Sequence, residues 1–446
     1  MRPSSHRLSS ARPEERPFFW AASRRTRFGT NVRVVHLAIA PPLAVAVESV
    51  VPSKEERLVW GGDQMGNAVT QDDARGMSFR ELAALLVLLL ALVYIPFLLF
   101  LDPTNEGFLW GDAVYYRLAV ESLVQDGDLS VENNLPAGAL ATAVHDQQLA
   151  VGASGALVPK HQLLLVFLSY PAYRLLGDKG LLVFNVACVL AVLVGTLALC
   201  REWVSAPHAL GVAFLFGVAT LFLPYVYNFS ADLLTTALLV WGVVSVRWRR
   251  FFAAAVFISL SVAAKVSSLP AAAAALLLLG WEARKEPLSG PVVAAVACGL
   301  ALGILPFVGS NVLLFGNPWH SGYSHIAVAA AGGGLAEYSH TTDFTRPLWR
   351  GVWDVLCSFP RGLLVSNPLL FAALGFPAVY RSKRDPFLLL LLVGVAAQVL
   401  VIAKYAQWDR SAFSNRFLMP AVVFLAPHVA LVLEAGVRRF VMPEKR

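Results

Sequence analysis

The stretch LAALLVLLLALVYIPFLLFL, residues 82–101, runs twenty positions without a charged side chain. A helix needs about 20 consecutive, mostly apolar residues to cross the hydrocarbon of a bilayer. This stretch therefore has the length and chemistry of a membrane span. Comparable runs recur as far as Glu434. A helix on a soluble core would instead show a polar face at every turn. Composition agrees: 15% of the residues are charged and 57% apolar, with a mean hydropathy of +0.62. Soluble domains carry nearer ~25% charge.

Working outward from 82–101, the apolar runs predict an all-α fold: a polytopic membrane bundle of about ten spans. They cover 82–101, 180–200, 208–226, 231–246, 251–264, 267–281, 290–312, 362–380, 385–403 and 416–436. The fifth and sixth are short, since about fourteen residues at 1.5 Å each reach only ~21 Å. They read as a hairpin turning at Lys265 before Pro270, with the lysine snorkelling to the headgroups.

Lysine and arginine in short loops set orientation. With the N-terminus inside, the clusters Arg247–Arg250, Arg284–Lys285, Arg381–Arg384, Arg438–Arg439 and Lys445–Arg446 all fall on the cytoplasmic side. This accounts for the net charge of +7 without invoking nucleic acid. The segment 162–176 is apolar but short and contains Pro171. Counting it as a span would put every later cluster outside, so it reads as a helix lying at the outer face. Two long loops, 102–179 and 315–361, then face outward. The expectation is a multi-pass plasma (inner) membrane protein with both termini cytoplasmic and its polar chemistry on the external side.

Residues 1–76 differ in character, being Arg- and Ser-rich with one Pro-broken apolar patch. They read as a disordered cytoplasmic tail, or as a leader upstream of a natural start at Met65 or Met77. Residues 77–446 read as one membrane domain. The four cysteines form no CxxC pair, so neither a disulfide framework nor a zinc site is indicated. Among His320, His325 and His340 of the second loop no standard metal spacing occurs, and no metal site is expected. The run Gly332–Gly334 suggests mobility there.

Within the first loop, Trp110-Gly111-Asp112 opens an amphipathic helix. Ala113, Tyr116 and Val120 share one face, and Arg117 and Glu121 stand at ion-pair spacing. Asp112 at its start is either an N-cap or a functional acid. Asp126-Gly127-Asp128 ends this helix. Pro159-Lys160-His161 precedes the surface-lying segment, where a lysine beside a histidine holds lipid headgroups or a phosphate. Asp232 follows Asn228-Phe229-Ser230-Ala231 just outside a span. It is either a helix cap or an ionisable group retained for function.

In their order along the chain these motifs resemble the GT-C integral membrane glycosyltransferases, the group of protein O-mannosyltransferases and lipid A aminoarabinose transferases. The resemblance continues through Lys265, Asn311, Phe315-Gly316-Asn317-Pro318, Tyr323, Ser358-Phe359-Pro360-Arg361, Asn367-Pro368, Trp408 and Ser414-Asn415-Arg416-Phe417. It covers Met77 to about Pro420.

The resemblance implies transfer of a sugar from a polyprenyl-phosphate carrier to a lipid, glycan or protein acceptor outside the membrane, with inversion and with no cofactor. Asp112 is then the general base and Asp232 a second catalytic acid. Lys160, His161, Lys265, Arg361, Arg416, Tyr116 and Tyr323 bind the substrate and its phosphate. Partners are membrane lipids, the carrier-linked sugar and an unidentified acceptor, and no nucleic acid. Protein mannosyltransferases often show an acidic pair where Asp112 is followed by Ala113, so a protein acceptor is the weaker choice. No Rossmann fingerprint or P-loop is present. Two other readings stay open: a transporter or flippase of lipid-linked sugars, and a polysaccharide polymerase or ligase.

Overall fold

The computed structural model describes residues 77–102, 109–286, 289–330, 334–409 and 414–441. Residues 1–76, Gly332 and Gly333 of the glycine run, and Arg410 lie outside the described residues.

The first apolar run forms α1 (Phe79–Phe100). The first loop contains α2 (Asp112–Gln125), α3 (Ala139–His145), the short strands β1 (Leu149–Val151) and β2 (Leu157–Pro159), and α4 (Leu164–Leu176). The bundle continues with α5 (Asp178–Cys200), α6 (Ala206–Ala219), the single turn α7 (Phe222–Tyr225), α8 (Ala231–Arg247) and α9 (Phe251–Ala264). Then come α10 (Leu269–Ala283) and α11 (Gly290–Phe315). The second loop carries β3 (Ile326–Ala329), β4 (Leu335–Tyr338) and α12 (Leu348–Cys357). The chain closes with α13 (Leu363–Ser366), α14 (Phe376–Lys383), α15 (Pro386–Lys404) and α16 (Met419–Val441).

Six helical segments are long and apolar enough to cross a membrane: α1, α5, Val266–Ala283, α11, α15 and Arg416–Arg439. The protein is a multi-pass membrane helical bundle. Shorter apolar helices complete it, so a count of ten depends on how those are seated. Close helix approach is bought with small side chains. On α11, Gly299 and Gly303 lie one turn apart against α9; a Cβ on Gly303 would meet Val256 O and Ser259 Cβ at 2.6 Å.

Two predicted spans are interrupted. The run 208–226 breaks between α6 and α7. Thr220 is extended there and bonds back to Phe216 O at 2.5 Å, and the Leu221 N–H donates to Asn367 Oδ1 at 2.6 Å. The run 362–380 also divides, into α13, a 3-10 segment at Pro368–Gly375, and α14. Asn367 precedes Pro368, and a residue before proline is pushed out of the α region; its φ and ψ are −134° and 72°.

The short apolar segment expected at 162–176 forms the helix α4. It buries Leu164, Leu165 and Val166 and exposes Phe167, Leu168, Leu175 and Leu176. Arg117 pairs with Glu121 at 2.8 Å as its spacing suggests, and also reaches Asp178 at 2.7 Å. The small sheet adds to the expected helices. Its strand order is β2-β1-β3-β4, all antiparallel, so it joins the first long loop to the second. Strands of three and four residues are too short to show a period-2 pattern in the sequence.

Candidate active site

Four segments far apart in the chain converge at one end of the bundle. Asp112 opens α2, and Asp232 lies in the first turn of α8. Lys265 sits in the extended break after α9, and Arg416 begins the 3-10 turn Arg416–Leu418 that leads into α16. All four side chains are buried. Arg416 Nη2 donates to Asp112 Oδ2 at 2.6 Å, and its Nε lies 3.7 Å from Asp232 Oδ2. Lys265 Nζ donates to Asp232 Oδ2 at 2.7 Å and lies 3.9 Å from Asp112 Oδ2. The two cations therefore bridge the two carboxylates.

This corrects the expected snorkelling of Lys265. Its side chain turns into the bundle, because the buried Asp232 carboxylate offers charge pairing that the chain's own backbone cannot. Neither acid is a simple cap. Gly111 precedes α2 without a side-chain cap bond, while Ser230 caps α8, accepting from the Asp232 N–H at 3.2 Å. The Ser230 hydroxyl in turn donates to Asp232 Oδ2 at 2.8 Å.

The first loop supplies a second layer. The His161 ring contacts Tyr323 OH at 3.0 Å through Nδ1 and Gln148 Oε1 at 3.2 Å through Nε2. Burial pulls the His161 pKa well down, outweighing the pull of Asp112, so the ring is neutral. Gln148 Oε1 can only accept, which gives Nε2 the proton and leaves Nδ1 to accept from Tyr323. Tyr116 packs its ring on His161 at 5.0 Å and edge-on to Phe229 at 6.3 Å. Lys160 is buried and lies 6.0 Å over the Tyr323 ring. Burial tends to raise the Asp112 pKa, but Arg416, His161, Lys265 and Lys160 together hold it far below the ordinary carboxylate range. Burial pushes the Tyr116 and Tyr323 phenols well up, so both keep their protons.

Three buried amides pin the segments that carry this cluster. Asn185 donates to Tyr225 O at 2.7 Å and Val226 O at 2.8 Å, and accepts from Ser230 N at 3.4 Å. Gln398 accepts from Ala271 N at 3.2 Å and donates to Ser267 O and Phe417 O, both at 2.8 Å. It thus ties the Lys265 turn to the Arg416 turn. Asn367 accepts from Leu221 N and donates to Leu363 O at 2.8 Å and Ser414 Oγ at 3.3 Å. The sequence offered one signal for these: a lone amide inside an apolar run, which must find partners where no water is at hand.

Arg361 does not join the cluster. It is part-exposed and faces Asp409 at 4.0 Å. The second-loop histidines are engaged locally. His325 contacts Glu337 at 2.8 Å and His320 at 3.1 Å, and His340 pairs with Asp343.

Around the buried charges, hydrogen-bonding capacity is left over. Among the described residues, Tyr116 OH, Asn228 Oδ1, Arg416 Nε and both amide atoms of Gln162 and Asn415 are buried without a hydrogen-bond partner. Native interiors leave only a few such groups per hundred residues. These atoms lie in four short segments, each next to a member of the cluster, while Ser245 Oγ and Arg346 Nη1 are unpartnered elsewhere.

No family model and no curated protein matches the chain. Among solved structures it is similar to ArnT from Cupriavidus metallidurans bound to undecaprenyl phosphate, at 13% identity over 81% of this chain, with a TM-score of 0.52. It is also similar to the apo form of an oligosaccharyltransferase from Archaeoglobus fulgidus, at 12% identity over 82% of this chain, with a TM-score of 0.40. The chain spans 63% of the length of the first and 52% of the second. The likeness to ArnT shows that the two chains share a fold, a polytopic membrane helical one as the sequence led us to expect.

Proposed function

We propose that the protein is a membrane glycosyltransferase that moves a sugar from a polyprenyl-phosphate carrier to a lipid or glycan acceptor. The observation that carries this reading is the buried pairing of Asp112 and Asp232 with Lys265 and Arg416. A transferase of this kind needs an anion to take a proton and cations to take a phosphate, side by side and away from bulk water. That ArnT was solved with undecaprenyl phosphate bound supports a lipid phosphate as the leaving group.

In the proposed step the acceptor oxygen attacks the anomeric carbon and the carbon–oxygen bond to the carrier phosphate breaks. The acceptor proton passes to the Asp112 carboxylate. The electron pair leaves on the phosphate oxygen, where Lys265, Arg416 and Lys160 offset the developing charge. A single displacement inverts the anomeric centre. Asp112 held by Arg416 at 2.6 Å is a weak base. A phosphate that draws Arg416 and Lys265 toward itself loosens that hold and restores its basicity. Asp232 keeps Lys265 in place, and neutral His161 with Tyr323 and Tyr116 supplies neutral hydrogen-bonding groups. In this scheme side-chain cations do the work and no cofactor takes part. The basic clusters support an external active site in the plasma membrane, with both chain ends cytoplasmic.

Purified full-length protein given radiolabelled polyprenyl-phosphate sugars and an envelope lipid and glycan extract tests this. The native chain should transfer label, and Asp112→Ala should lower the rate about 10²–10⁴-fold, the usual worth of a general base. Equal transfer by Asp112→Ala would remove the base from the scheme. Lipid movement across vesicles without any transfer would favour a flippase.

A further inference from the structure

Gln162 follows the Lys160–His161 pair, is only 4% exposed, and has no hydrogen-bond partner for either amide atom among the described residues. The other buried amides of the bundle are the contrast. Asn185, Asn367 and Gln398 each use both ends of the carboxamide to hold a turn. Asn415 resembles Gln162, but it adjoins 410–413, outside the described residues. Gln162 lines a narrow cleft with Lys160, His161, Ser310, Asn311 and Gly322. Gly322 forms one wall, packed so closely that a Cβ there would meet Lys160 O at 2.4 Å. The same His161 lies 3.7 Å from Asp112 on the other side. The cleft and the charge cluster therefore share a wall.

The chemistry of the cleft is neutral where that of the cluster is charged. A carboxamide presents an N–H donor and a carbonyl acceptor side by side, and each sugar hydroxyl both donates and accepts. Ser310 Oγ already donates to Phe307 O at 2.9 Å, which leaves its lone pairs to accept. We propose that Gln162 reads the sugar: its carboxamide takes one hydroxyl of a neutral pyranose or furanose that enters the cleft beside Lys160. The ring itself stays at the mouth, since the cleft is narrow. This rests on the glycosyltransferase reading only for whether that sugar belongs to the donor or to the acceptor.

Saturation-transfer NMR on the full chain in detergent tests the site without requiring turnover. The probes are methyl glycosides of glucose, mannose, galactose and arabinose. At least one should give a signal that falls fivefold or more in Gln162→Leu, while the thermal midpoint of that variant holds or rises, because an unpaired buried amide has been removed. Gln162→Met, closer in shape, replaces it should the leucine variant not fold. No glycoside signal, or one equal in both proteins, overturns the proposal.

A second measurement separates the sources. If the donor supplies the sugar, Gln162→Leu weakens undecaprenyl-phosphate glucose or mannose tenfold or more and leaves undecaprenyl phosphate unchanged. If the acceptor does, both carrier affinities hold while the glycoside signal is still lost. Glycoside binding that depends on Gln162 in a protein that transfers nothing would keep the proposal and discard the transferase reading.

Discussion

The two ends of the bundle both carry ion pairs across helices, yet they are built differently. At the end where α8 finishes, Arg247 meets Glu202 at 3.1 Å and Asp385 at 3.4 Å, over the Trp203 ring at 5.2 Å. Asp385 also accepts from Trp203 Nε1 at 2.9 Å and caps α15 through Phe387 N at 2.9 Å. The side chains are part-exposed, and each has several partners. At the other end of α8 sit Asp232, Lys265, Arg416 and Asp112, deeply buried and ringed by polar atoms that have none. The first arrangement fastens helices. The second holds charge and hydrogen-bonding capacity in reserve, which is a poor way to fasten anything and a good way to receive a phosphate and a sugar.

Removing one cation from each end tests that contrast most severely. Arg416→Gln should cost about 3–5 kcal/mol in detergent unfolding, because it leaves two buried carboxylates facing one lysine. A cost under about 1 kcal/mol would place the Arg416 end in the same class as the other. Acid gives a smaller effect. The Asp112 pKa is lowered in the fold, so its stabilisation is complete above the ordinary carboxylate value near 4 and fades as pH falls toward the lower folded value. Thermal midpoints should therefore show no loss traceable to Asp112 between pH 7 and 5. Below about pH 4 the native protein should lose stability more steeply than Asp112→Asn. Parallel curves would mean that the carboxylate is not held by its cations. The smallest change is expected for Arg247→Gln, under about 1 kcal/mol for a part-exposed pair, with transfer activity retained.

How much of this could be read in advance differs by residue. Asp112, Lys160, His161, Asp232, Lys265 and Arg416 were visible as polar residues between or at the ends of apolar runs, in an order resembling a known family. Arg361 stood in the same list and proves to face Asp409, because its motif places it in the chain but says nothing of which way its side chain turns. Gln162 carried no signal, since its distinction is the lack of a partner, and a partner is a property of three dimensions. Asn185 and Gln398 were lone amides in spans, noticeable but without a direction.

The sequence by itself determined that this chain lies in a membrane, and roughly where most helices begin and end, because hydrocarbon imposes length and charge rules that act residue by residue. It also determined which end of each helix carries the polar groups. Only the tertiary structure decided that Lys265 turns inward rather than toward headgroups, that two expected spans are broken, and that Arg416 bridges acids 304 and 184 positions away. Those outcomes depend on which buried charge or orphaned amide finds which partner, and that is settled by packing between segments rather than within them.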